Sequence, residues 1–181
     1  MTLGQPQPHR VIVTGAPGAG KTTLLAELAR RGYATFDDSA RAIIAERLAR
    51  GESPRPEPLA FAREILRRDI EKYEAAPPDR GWSLFDRSLL EAVGMVHDAA
   101  PLSPAELQAF RERYRYHPTV FVLPPWPEIY VNDAERDHPF AHALRVHEEI
   151  VRWYALCGYA TLLVPCVAVP ERAEFVLRAL A

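Results

Sequence analysis

The residues with the clearest chemical content are Gly15-Ala16-Pro17-Gly18-Ala19-Gly20-Lys21-Thr22, a complete G-x-x-x-x-G-K-T run, the Walker A spacing. Its glycines let successive backbone N–H groups turn inward onto phosphate oxygens. A helix that opens on the same residues points its positive end at those oxygens. Lys21 is placed to reach β- and γ-phosphates, Thr22 to ligate Mg²⁺ through its hydroxyl, and Thr23 to bond a phosphate. The apolar Val11-Ile12-Val13 before the run and the leucine-rich stretch after it supply the strand-loop-helix context that this chemistry needs. The cofactors it calls for are ATP and Mg²⁺, and the motif itself does not separate ATP from GTP.

Ligands of open α/β sheets bind outside the carboxyl ends of the strands, so the residues that follow each apolar run are the next candidates. Asp37, Asp38, Ser39, Ala40 and Arg41 follow the second run, and Asp86 and Arg87 follow the third. Asp86 has the position of a Walker B acid that holds a water of the Mg²⁺ shell, or it caps the next helix, or both. Asp38 is placed to accept the proton of an attacking hydroxyl, with helix capping as its alternative. Arg87 is placed to bind phosphate or acceptor, with an ion pair as its alternative. Beyond the fourth run, 132–138 is a polar segment suited to a lid, and its Arg136 could stabilise charge on a transferring phosphoryl group. Trp126 could stack on a base or pack at the base of the lid. His138 and His142 share a helix face but have no obvious third metal ligand. His147 falls on an apolar stripe and reads as a core histidine.

These residues need a scaffold, and the hydrophobic pattern describes one. Five short apolar runs read as strands: Arg10–Thr14, Tyr33–Phe36, Trp82–Phe85, Thr119–Leu123 and Thr161–Val164. They alternate little, so both faces are expected to be covered. Helical stripes lie between them, and Ser103-Pro104-Ala105-Glu106 is a helix start with a capping box. Alternation of strand and helix predicts a parallel sheet with right-handed crossovers, a three-layer α/β sandwich. Residues 1–9 read as a flexible tail, and 10–181 as one P-loop domain.

Composition excludes several classes. The 181 residues carry a net charge of −2, which gives no general attraction to nucleic acid or anionic membrane. No apolar run approaches a membrane span, and the first ten residues have no signal-peptide core. Cys157 and Cys166 make no disulfide framework and read as two free, buried thiols of a cytoplasmic protein.

The P-loop, Asp38-Ser39-Ala40-Arg41, Asp86-Arg87-Ser88, Pro124-Pro125-Trp126-Pro127-Glu128-Ile129-Tyr130 and Arg136 together resemble a family of bacterial P-loop ATPases. That family is similar to the kinase domain of ribosylnicotinamide kinase proteins and, more distantly, to deoxynucleoside kinases. The family usually has Glu at the position of Asp38, and usually continues Gly-x-x-Asp where this chain has Ser88-Leu89-Leu90-Glu91. The resemblance implies a P-loop NTPase fold of the nucleoside and nucleotide kinase kind, with a five-stranded sheet ordered 2-3-1-4-5. Membership in that family does not name a reaction, but the small size, Asp38 after the second strand and the lid-placed Arg136 favour a kinase that transfers the ATP γ-phosphoryl group to a small, nucleoside-like hydroxyl-bearing acceptor, expected as a monomer or homodimer. The rival is an NTP-hydrolysing regulatory protein that acts on a protein partner.

Overall fold

The computed structural model describes residues 9–54, 56–77, 81–130 and 139–181. The element order is β1 (Arg10–Gly15), α1 (Lys21–Arg30), β2 (Ala34–Phe36), α2 (Ser39–Ala49), α3 (Pro58–Ala75), β3 (Ser83–Asp86), α4 (Leu89–Ala99), α5 (Pro104–Arg113), β4 (Thr119–Leu123), α6 (Phe140–Leu156), β5 (Ala160–Leu163) and α7 (Val169–Leu180). All strand pairs are parallel, in the order β2-β3-β1-β4-β5. This is the P-loop nucleoside-kinase type of sheet that the family resemblance implies.

β1 occupies the centre because both its faces are apolar. Val11 and Val13 point to one side, where Leu24, Leu28, Val176 and Leu180 bring in α1 and α7. Ile12 points to the other side, among Phe85, Leu89, Val93, Ile150 and Tyr154. A third cluster, Ile43, Phe61, Ile65 and Ala92, packs α2 and α3 against α4. Helix starts follow the local chemistry. Ser103 and Glu106 form the expected capping box on α5, and the Glu57 carboxylate accepts from Leu59 and Ala60 to start α3.

Three expectations need correction. β5 is not covered on both faces: it is the edge strand beyond β4, and Leu163 is 53% exposed. An apolar run cannot by itself reveal that its strand has a neighbour on one side only. The apolar stripes of α2 and α6, which by helical spacing include Leu48 and Leu144, are narrower than that spacing suggests, and both residues are exposed. Cys157 is buried as expected, but Cys166 sits exposed after β5. Of the tail read as 1–9, residues 1–8 lie outside the described residues.

The strand-to-loop corner leaves no room for a side chain at Gly15. Its φ is 145°, and a Cβ there would stand 2.4 Å from the Leu123 carbonyl oxygen of β4. Gly15→Ala should therefore destabilise the fold by about 3 kcal/mol, from overpacking against backbone and an unfavourable φ. Thermal unfolding checks this; an unchanged melting temperature would show that the corner can yield.

Candidate nucleotide and phosphoryl-transfer site

The loop between β1 and α1 brings Lys21 inward. Gly20 starts the helix with φ 82°, a left-handed conformation open to glycine, and Lys21 is only 8% exposed. Its ammonium donates to the carbonyls of Gly15 (2.9 Å) and Ala16 (3.1 Å). Burial lowers its pKa to about 8, and the Arg87 charge adds to that; Asp86, Asp38 and Glu91 act in the opposite direction. The Thr22 hydroxyl is 3.4 Å from Arg41 Nη1. Thr23, expected to meet a phosphate, donates its hydroxyl proton to the Gly20 carbonyl at 2.9 Å. That is the short-range bond by which a hydroxyl at this position satisfies the helix backbone.

Asp86 ends β3, in register with Val13 of β1, so the sheet itself sets it beside the loop. Its Oδ1 is buried with no hydrogen-bond partner. Burial pushes its pKa up to about 6, with Lys21 opposing and Asp38 reinforcing the rise. A carboxylate with a folded pKa above its unfolded value stabilises below the unfolded value and loses that contribution as pH rises through the folded one. Between pH 4 and 7 the nucleotide-free protein should lose about 2 kcal/mol on this account. Asp86→Asn should flatten that part of a stability-versus-pH curve from urea melts. An unaltered curve would assign the slope to other groups, with Asp69, also raised to about 6 by burial, the first to test.

Arg87 follows at once and turns back sharply, with φ 69°. Its backbone N–H donates to the Val13 carbonyl. The turn aims its guanidinium between two acids: Nε is 3.3 Å from Asp38 Oδ2 and Nη1 is 2.8 Å from Glu91 Oε2. Burial alone would lower its pKa, but the carboxylates of Glu91 and Asp38 outweigh that and hold it above the ordinary arginine value.

Asp38 caps a helix and still turns one oxygen to the site. Its Oδ1 accepts from the Ala40 N–H at 2.9 Å and caps α2, while Oδ2 faces Arg87. The turn that carries it is pinned from α3. Lys72 donates to the Asp37 carbonyl and to Ser39 Oγ, and Ser39 Oγ donates to Asp69.

Glu91 is the residue that sequence reasoning missed as a site member. Its Oε1 accepts from Thr14 Oγ1 at 2.6 Å and from Tyr154 Oη at 2.7 Å, while Oε2 takes Arg87. The available signal was its i+4 spacing from Arg87. Arg172 of α7 was also missed; it is 4% exposed, and its guanidinium stands 5.5 Å over the Trp126 ring. Trp126 thus packs against an arginine at the foot of the loop after β4.

One cavity of about 540 Å³ joins these groups: Lys21, Thr22, Asp38, Asp86 and Arg87 line it together, and Arg172 lies at its other side. Gly15, Ala16 and Ala19 of the motif do not line it; Ala16 and Ala19 are buried beneath. Arg136 and His138 lie outside the described residues. His142 is half-buried, and among the described residues no three metal-ligating side chains group together. His147 is half-buried, not core, and its partial burial lowers its pKa. No described helix is long and apolar enough to cross a membrane.

Known structures share this architecture. Deoxyadenosine kinase from M. mycoides with bound dATP superposes with a TM-score of 0.59 at 15% identity, over 94% of this chain and 98% of that one. The NadR protein in complex with NR gives a TM-score of 0.64 at 18% identity, over 94% of this chain and 50% of that one. Thymidylate kinase from Ehrlichia chaffeensis gives 0.58 at 12% identity, over 96% and 100%. At such identities the likeness is one of fold. No curated protein matches the sequence. Residues 10–172, from the first strand into the last helix, match the family model described as AAA domain, and the chain belongs to that family of P-loop proteins.

Proposed function

We propose that this chain is a small-molecule kinase that moves the γ-phosphoryl group of a nucleoside triphosphate, ATP or GTP, to the hydroxyl of a nucleoside-like metabolite. The observation that carries this reading is the meeting of Asp38, Arg87, Asp86 and Lys21 on one cavity of about 540 Å³. A hydrolase needs the loop, the lysine and the metal acid. The further acid-arginine pair after β2 and β3 suits an acceptor hydroxyl. Its oxygen attacks the γ-phosphorus, the bond to the β-phosphate bridging oxygen breaks, and the hydroxyl proton passes to Asp38. Lys21 and Arg87 lower the cost of charge on the phosphates. The fold also suits Mg²⁺: the buried, unpartnered Asp86 Oδ1 and the Thr22 hydroxyl are hard oxygen donors on the same cavity. Bound there, Mg²⁺ would neutralise phosphate charge. The kinases among the neighbouring folds support the same reading.

The test is ATP and GTP consumption by the full chain with a library of nucleosides and related metabolites. Slow basal turnover that one acceptor class raises, with a phosphorylated product, is the expected result. If no metabolite stimulates turnover and a protein does, the reading fails in favour of a regulatory NTPase, which the AAA-domain description of the family would suit.

Two variants check the donor side. Lys21→Ala removes a charge-assisted phosphate contact and should weaken a nonhydrolysable nucleotide by about ten- to a hundredfold in calorimetry. Equal affinity in the variant would remove Lys21 from the site. Asp86→Asn should weaken binding much more with Mg²⁺ than without it, and equal losses would leave Asp86 a structural acid.

A further inference from the structure

The proposed donor site has two ends, and the sheet order tells them apart. Asp38, Asp86 and Arg87 follow β2 and β3 on one side of the central strand β1, so the γ-phosphate faces that side. The base of the same nucleotide must then lie toward β4 and β5, where Ile129, Val169 and Arg172 close the cavity.

Arg172 is an unusual wall for an apolar pocket. It is 4% exposed, yet no carboxylate among the described residues pairs with it. Its nearest acceptor is the Gly20 carbonyl, 3.5 Å from Nη1, at the limit of a hydrogen bond. Nε is buried with no partner among the described residues. The guanidinium carbon stands 5.5 Å over the Trp126 ring, a cation–π contact. Burial holds its pKa below the ordinary value, yet a guanidinium stays charged at any working pH. Among the described residues the guanidinium thus has one long hydrogen bond through Nη1 and no partner for Nε, which leaves donors for a ligand edge made of acceptors.

Resting on the nucleotide-binding reading above, we infer that Arg172 reads the donor base, and that the base is guanine. Guanine offers two adjacent acceptors, O6 and N7, which match the fork of an arginine. Adenine turns its N6 amino group, a donor, to the same place and leaves a donor against a donor. Arg172 therefore sets GTP above ATP, while the phosphate contacts of the loop are common to both.

Competition against a fluorescent guanine nucleotide analogue measures this on the full chain with Mg²⁺ and needs no acceptor. GMPPNP should bind about ten- to a hundredfold tighter than AMPPNP, the span of a good bidentate base contact. ITP, which keeps O6 and N7, should match GTP, and 7-deaza-GTP, which lacks N7, should fall toward ATP. Arg172→Met should bring the GMPPNP to AMPPNP ratio close to one, mainly through a loss of GMPPNP affinity. Should that variant fail to fold, the ITP and 7-deaza-GTP comparison decides alone. Equal or tighter AMPPNP binding by the native chain overturns the inference, as does 7-deaza-GTP binding as well as GTP. A preference for guanine that persists in folded Arg172→Met overturns it too, and makes Arg172 a strut beneath Gly20. If neither analogue binds the native chain, the nucleotide reading itself falls, which is a separate result.

Discussion

Asp38→Asn should cut acceptor-stimulated turnover by roughly 10²–10⁴-fold, the usual contribution of a positioned general base. The substitution is chosen to spare the fold. Asn keeps a side-chain oxygen that can accept from Ala40, so the cap on α2 survives. What it loses is the negative charge next to Arg87 and the capacity to take a proton. Binding of a nonhydrolysable nucleotide should change by less than about threefold, because the missing interaction belongs to the transition state. Arg136→Ala is expected to behave in the same way. The decisive comparison is stimulated rate against donor affinity in one preparation. Full stimulated activity in Asp38→Asn would leave Asp38 as a helix cap and send the search for a base elsewhere. A parallel fall in rate and affinity would mean that the pair with Arg87 is structural.

The features that were legible in the sequence are those whose physics is local. G-x-x-x-x-G-K-T needs only eight consecutive residues and the strand before it, and Lys21 stands at the cavity as that spacing requires. The α5 capping box needs four residues and is present. Sheet order came from resemblance to a family, since periodicity cannot say which strands are neighbours. The contacts that escaped join distant parts of the chain. Glu91 meets Thr14 across 77 positions and Tyr154 across 63, while Arg172 meets Gly20 across 152. No window of sequence contains both partners. The edge position of β5 escaped for a related reason: Thr161-Leu162-Leu163-Val164 is as apolar as a central strand, yet it lies at the edge of the sheet with Leu163 exposed.

Glu91→Gln should lower stability by about 3 kcal/mol, the low end for removing one partner of a buried charge pair. The low end applies because 12% of Glu91 and 23% of Arg87 side-chain surface remains exposed. Three groups share this carboxylate, and one amide oxygen cannot serve both of its positions. With the oxygen kept at the Oε1 position Thr14 and Tyr154 retain their acceptor and Arg87 Nη1 faces an amide N–H₂; with the amide flipped Arg87 keeps a neutral oxygen and both hydroxyls face the N–H₂. For a chain of this length that loss corresponds to a fall in melting temperature of roughly 6–12 °C. Tyr154→Phe removes the hydroxyl that donates to this carboxylate and partners Ser88 Oγ, and should cost about 2 kcal/mol. The double variant should cost less than the two added, since the hydroxyl of Tyr154 has little to gain from the amide that replaces the carboxylate. A consequence for the reaction follows from the same bonds. With the carboxylate of Glu91 gone, Arg87 is held by Asp38 alone, so the arginine swings with the acid it should orient. Stimulated turnover should therefore fall in Glu91→Gln at temperatures where the protein is fully folded, while donor affinity holds. Additive stability losses, together with native turnover in the folded variant, would confine Glu91 to the core and leave Arg87 set by its own strained turn.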